Sequence, residues 1–143
     1  MLIEKLRKLP PKKRVLILPH DNPDPDAIAS AWGLSYLLKK KLGLTSTIAY
    51  SGLIGRAENR ALVRVLKIPL VQFDPDILEN DPSIVMVDCQ PYTGNNPLPF
   101  DIIPDGIIDL NDECQRSNNK TLVEYTFSLR SQRNEIYSLM AIS

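Results

Sequence analysis

Three short apolar runs, "RVLILP" (14–19), "SIVMVD" (83–88) and "GIIDL" (106–110), constrain the fold of this chain more than any other feature. They lack the polar–apolar alternation of a half-exposed strand, so they read as strands buried on both faces. Between them lie helical patterns. Over Ala27–Leu42 the residues Ile28, Ala31, Trp32, Leu34, Leu38 and Leu42 recur at helical spacing, and Gly43 follows the basic run Lys39–Lys41, a sound helix end. "IEKLRKL" reads as a short helix stopped by Pro10 and Pro11. "STIAY" (46–50) is a further strand, "AENRALVRVL" (57–66) a further helix, "IPLVQF" a weak strand and "DPDILEND" a turn entering a short helix. Strands alternating with helices predict an α/β fold, a mostly parallel sheet with helices on both faces.

Ligands of such sheets gather at the carboxyl ends of the strands. Three of the strands end in or near acid, as "LILPHDNPD", "VMVD" and "IID", which places His20, Asp24, Asp26, Asp88 and Asp109 at one crevice. The loop "HDNPDPD" holds the only histidine of the chain and three aspartates within six residues. Crowded carboxylates repel one another, so a bound cation would compensate them. Oxygen ligands with one imidazole suit a hard or borderline divalent ion, Mn²⁺ or Mg²⁺ more than zinc. Asp24 and Asp26, separated by Pro25, can point the same way in an extended loop and feed two adjacent ions, with Asp88 bridging from the neighbouring strand. Two ions ~3.5–4 Å apart activate water and stabilise the leaving oxygen in phosphoester hydrolysis. The same residues also read as an ordinary N-cap, with Asp26 accepting from first-turn amides.

Composition excludes little. At 143 residues the chain is most simply one domain, and its seventeen basic residues balance seventeen acidic ones, so net charge argues for neither nucleic acid nor membrane. Cys89 and Cys114, with no CxxC spacing, fit a reducing compartment. The start carries basic residues before "VLIL", but that run is too short for a signal peptide and no stretch reaches membrane-spanning length, so a cytoplasmic protein is expected. All twelve prolines and all six glycines fall in residues 1–110, and none in 111–143. The chain is therefore expected to comprise an α/β unit over 1–110 and a divergent tail over 111–143, in which a helix can be drawn across "YTFSLRSQRNEIYSLMAI".

"HDNPDPDAIASAWGLSYLL" resembles the first motif of the DHH phosphoesterase superfamily, which includes RecJ-like nucleases, nano-RNase-type oligoribonucleases and family II pyrophosphatases. "IVMVDCQP" is similar to the second motif, "SGLIGRAENRALVRVLKIPL" fits the region between them, and "GIIDLND" stands at the third, Asp-His-His. The resemblance covers residues 12–112 and implies a Mn²⁺-dependent phosphoesterase with a DHH-like N-terminal domain, acting on short oligonucleotides or small phosphorylated molecules. It implies that His20 and Asp24 bind one manganese, Asp26 the second, that Asp88 bridges both, and that Asp109 supports the residues after it. Leu110 and Asn111 occupy the two histidine positions. Leucine cannot ligate, and Asn111 can only donate a hydrogen bond to a phosphate oxygen. The resemblance thus implies one intact metal site and a second that is impaired. It leaves open a non-catalytic module that binds one metal or a nucleotide. Arg56, opening a helix after a strand, is a further candidate for a substrate phosphate, against the plainer reading of a solvated helix face.

Overall fold

The structure, a computed structural model, describes residues 2–10, 14–109 and 126–128. The elements run α1 (Leu2–Leu6), β1 (Arg14–Pro19), α2 (Pro25–Leu42), β2 (Thr45–Tyr50), α3 (Ala57–Val65) and β3 (Leu70–Gln72). A 3₁₀ turn (Pro75–Leu78), β4 (Ser83–Val87), β5 (Gly106–Asp109) and β6 (Thr126–Ser128) follow. The strands form one six-stranded sheet in the order β3-β2-β1-β4-β5-β6, with every pairing parallel. The α/β architecture is therefore as expected.

Strand parity builds two cores. Val15 and Ile17 of β1, Val85 and Val87 of β4, Ile48 of β2 and Ile108 of β5 point to one face, against Leu2 and Leu6 of α1 and Ala31, Leu34, Leu37 and Leu38 of α2. Leu16, Leu18, Ala49, Ile84, Met86 and Ile107 point to the other, against Ile77 and Leu78 of the 3₁₀ turn and Leu98 and Ile102 of the loop before β5. Burial on both faces is why these strands carry uninterrupted apolar runs.

Connection handedness explains which cover lies where. From β1 the chain steps to β2 and then β3 in one direction, and the right-handed β1–β2 crossover puts α2 on the face it shares with α1. It then doubles back past β1 to β4, and the crossover falls on the opposite face. Among the described residues, the helical cover there is the single 3₁₀ turn, completed by the loop. The reversal makes the gap between β1 and β4 the topological switch point, where the carboxyl ends of the strands diverge and leave a crevice.

Two local expectations are corrected. Asp24, not Asp26, caps α2: its backbone is extended and its Oδ1 accepts from the Ala27 N–H at 2.8 Å. Pro25 is the reason, since its fixed φ and missing N–H suit the first helical position and start the helix one turn-step earlier. Asp26 consequently lies inside the first helical turn, and the extended loop expected to aim Asp24 and Asp26 together is not formed. The helix drawn across the tail is interrupted as well: Thr126–Ser128 is a strand, pairing Thr126 with Ile107 and Ser128 with Asp109. The exposed edge of β5 offers a full ladder of hydrogen-bonding groups there, and this outweighs weak helical periodicity. The rest of the 111–143 tail, with Asn111, Cys114 and Leu110 before it, lies outside the described residues.

Candidate functional site

His20 follows β1 and Asp88 follows β4, so the two strands flanking the switch point each deliver one side chain to its crevice. The imidazole Nε2 lies 3.7 Å from Asp88 Oδ2 and 3.8 Å from Asp24 Oδ2. These separations exceed hydrogen-bonding distance. They suit ligands sharing an ion: two atoms ~2.1 Å from a common centre and ~120° apart stand ~3.6 Å from each other. One ligand atom from each of His20, Asp24 and Asp88 falls within a 4.8 Å group.

The ring orientation is set from behind. His20 Nδ1 is 2.8 Å from the Asp21 carbonyl oxygen, which can only accept, so Nδ1 donates there and Nε2 is turned toward the two carboxylates. A backbone carbonyl holding the far nitrogen is the usual arrangement for a metal-ligating histidine. Asp24 serves two purposes with two oxygens, Oδ1 on the helix cap and Oδ2 toward His20. The capping and ligand readings of this residue are therefore compatible.

Asp88 is held in a left-handed backbone conformation, φ 55°, directly after β4, and its N–H donates to the Ile108 carbonyl at 2.8 Å. Non-glycine residues in this region carry strain that the surroundings must impose. Burial pushes the Asp88 carboxyl above its ordinary range; His20 opposes the shift, while the charges of Asp24, Asp109 and Asp26 add to it. An added cation would reverse that balance. Donor chemistry and spacing thus fit a divalent ion, with one nitrogen and two carboxylate oxygens as ligands.

The remaining expected residues are distributed around this trio. Asp109 is buried at the end of β5, behind the crevice, where Gln90 Nε2 donates to its Oδ2 at 2.9 Å. Asp26 is exposed on α2 and lies outside the close group, although its charge is felt at Asp88. Arg56 is exposed at the N-cap of α3.

Two residues were not marked from sequence. Asp21, besides orienting His20 through its carbonyl, has a buried Oδ1 with no hydrogen-bond partner among the described residues. Its N–H donates to the Asn95 carbonyl at 2.6 Å and ties the loop to the segment before β5. Asn22 joins the β1–α2 and β2–α3 loops: its N–H donates to Ser51, and its Oδ1 accepts from the Leu53 N–H at 2.9 Å. Gly52 permits this staple, having φ 77° and lying so close to the Asn22 side chain that a Cβ would collide with it. The adjacent pair Ser51-Gly52 after an apolar strand was the available signal, an ordinary turn signature that says nothing of its partner loop.

No family model matches the chain. Over 86 residues, 59% of its length, it is 44% identical to an uncharacterized protein of Methanocaldococcus jannaschii, and the match spans 18% of that protein. The chain is thus similar to a minor part of a much longer archaeal protein.

Proposed function

We propose that this chain is a DHH-like phosphoesterase unit of the cytoplasm, acting with Mn²⁺ or Mg²⁺ on a short oligonucleotide or a small phosphorylated molecule. One observation carries the reading: His20, its Nδ1 held by the Asp21 carbonyl, presents Nε2 3.7–3.8 Å from carboxylate oxygens of Asp24 and Asp88 at the switch point of a parallel sheet. His20, Asp24 and Asp88 would hold the ion, which when bound lowers the pKa of water and offsets phosphate charge. Asp109, clamped by Gln90, keeps negative charge behind Asp88 and so favours a cation there. Gln90 and Asn95 place the loop before β5 beside the site, and on that loop Tyr92 and Phe100 stack with centroids 6.2 Å apart while remaining exposed. Exposed aromatic faces are the usual platform for a base, which favours nucleotide-containing substrates over inorganic ones.

A second reading, a non-catalytic metal- or nucleotide-binding module, is favoured by Leu110 and Asn111 at the third motif and by Asp26 lying outside the close group. Calorimetric titration of the full chain with Mn²⁺, repeated with Asp88→Asn, separates the two, alongside hydrolysis of a 5′-phosphorylated dinucleotide. Two ions per chain with turnover, both lost in the variant, support the enzyme. One ion without turnover supports the module, and no binding above background refutes the metal centre altogether.

A further inference from the structure

Among the described residues β3 pairs with β2 alone and so forms one edge of the sheet. Edge strands present unpaired backbone groups to any further strand, and proteins commonly blunt them with a charge or a proline. β3 is short, but Leu70-Val71-Gln72 carries neither. The Phe73 N–H donates to the Tyr50 carbonyl at 2.8 Å, and Tyr50 is in register with Gln72. Successive residues of a parallel ladder bond to opposite sides, so Val71 also faces β2, and the backbone groups of Leu70 and Gln72 face the open side. The Leu70 N–H is taken locally by the Ile68 carbonyl. The Leu70 carbonyl and both groups of Gln72 remain as the bonding set of the edge.

Two features beside the edge state what fits it. The first is apolar. Val71 is 42% exposed, and Val65 and Leu66, at the end of α3 just before the edge, are 75% and 43% exposed. The second is charge. Arg64 and Lys67 precede β3, Asp74 and Asp76 follow it, and all four are exposed. The edge is therefore positive at its amino end and negative at its carboxyl end. An identical edge complements it when turned antiparallel, because the positive end of each copy then meets the negative end of the other.

We infer that β3 is the pairing edge of a two-fold symmetric dimer, with a second copy of this chain as its occupant. Val71 lies on the axis against the partner's Val71. The Gln72 N–H donates to the partner's Leu70 carbonyl, and Lys67 faces the partner's Asp74 and Asp76. Two six-stranded sheets thereby run on as one. A contact that uses the same patch on both copies closes on itself, so no β3 edge is left for further growth. β2 separates β3 from β1, so the crevice between β1 and β4 stays open. The dimer thus stands or falls apart from the phosphoesterase reading.

The test is sedimentation equilibrium of the full chain in EDTA over a concentration series, where a monomer–dimer equilibrium is expected. Lys67→Glu places like charges together at both ends of the contact and should raise the dimer Kd about tenfold or more. Asp76→Lys should do the same, and the two changes combined should restore association. A cross-link reads the register. Opposed residues of a non-hydrogen-bonded antiparallel pair have Cα atoms ~4.5 Å apart, inside the ~4.4–6.8 Å range of disulfides. In a Cys114→Ser background, Val71→Cys should therefore oxidise to a covalent dimer. Gln72→Cys, off the axis and on the other face of the strand, should not. A monomer at every concentration would overturn the inference and leave the edge to a strand of another protein. A dimer insensitive to Lys67→Glu, or one linked as readily through Gln72→Cys as through Val71→Cys, would overturn it too.

Discussion

Replacing Asp24 separates the two duties that its carboxylate performs. Oδ1 caps α2 and Oδ2 faces His20, so an alanine removes both, whereas an asparagine keeps the cap and loses the ligand. Asparagine is as good an N-cap as aspartate, and its carbonyl oxygen can take the Ala27 N–H while its NH₂ group, unable to ligate, turns toward the metal position. Loss of the cap costs about 1 kcal/mol, which for a chain of this size lowers Tm by about 3–5 °C. In EDTA, Asp24→Ala should show that drop and Asp24→Asn should melt near the parent. With Mn²⁺ at one hundred times the parent Kd, binding adds about 2.7 kcal/mol to the parent. If loss of a carboxylate ligand weakens binding by ~100-fold, the same Mn²⁺ concentration adds only ~0.4 kcal/mol to either variant. Thermal melts of the three proteins with and without Mn²⁺ read all these quantities. Equal Mn²⁺ stabilisation in the parent and Asp24→Asn would refute the ligand role. An Asp24→Asn melting point as low as that of Asp24→Ala in EDTA would refute the division of labour between the oxygens.

Asp88→Asn should stabilise the metal-free chain at neutral pH. The native carboxyl is shifted upward by burial, so the folded state holds its proton more tightly than the unfolded state, and stability falls as pH rises from the ordinary carboxylate range through the raised value. Urea denaturation in EDTA across that range should slope downward for the parent and be flatter for the variant; asparagine tolerates the left-handed backbone equally well, so only charge changes. Gly52→Ala forces a Cβ onto the Asn22 side chain at φ 77°, with an expected cost of about 1–3 kcal/mol in denaturant melts and weakened Mn²⁺ binding as the stapled loops part. A stability change below ~0.5 kcal/mol would show that the staple does not constrain the loops. Cys89 is buried, its Sγ donates to the Leu18 carbonyl, and burial together with the Asp109 charge pushes its thiol well above the usual range. In a Cys114→Ser background it should resist iodoacetamide until the chain unfolds, and rapid labelling of the native protein would contradict that placement.

The sheet was readable from the chain because burial on both faces leaves a simple trace: short apolar runs, too short for helices, separated by a helical period with a clear glycine stop. His20, Asp24 and Asp88 were readable for a related reason, since parallel strands deliver whatever follows their last residue to one common edge. Local sequence did not reveal how the loops settle. Pro25 starts α2 early, which makes Asp24 the cap and carries Asp26 away from the close group, a difference of two residues that only the helix geometry determines. The orienting carbonyl of Asp21 and the Asn22–Gly52 staple were invisible for a common physical reason. Each depends on which groups from distant segments meet across the sheet's edge, and Asn, Gly and Asp in loops look the same whether they merely turn the chain or hold two loops together. The alternation of strand and helix thus determined the architecture and the edge where chemistry can occur, while the reversal of strand order between β1 and β4 decided which side chains face one another there, because only at that gap do neighbouring loops diverge enough to leave room for a ligand.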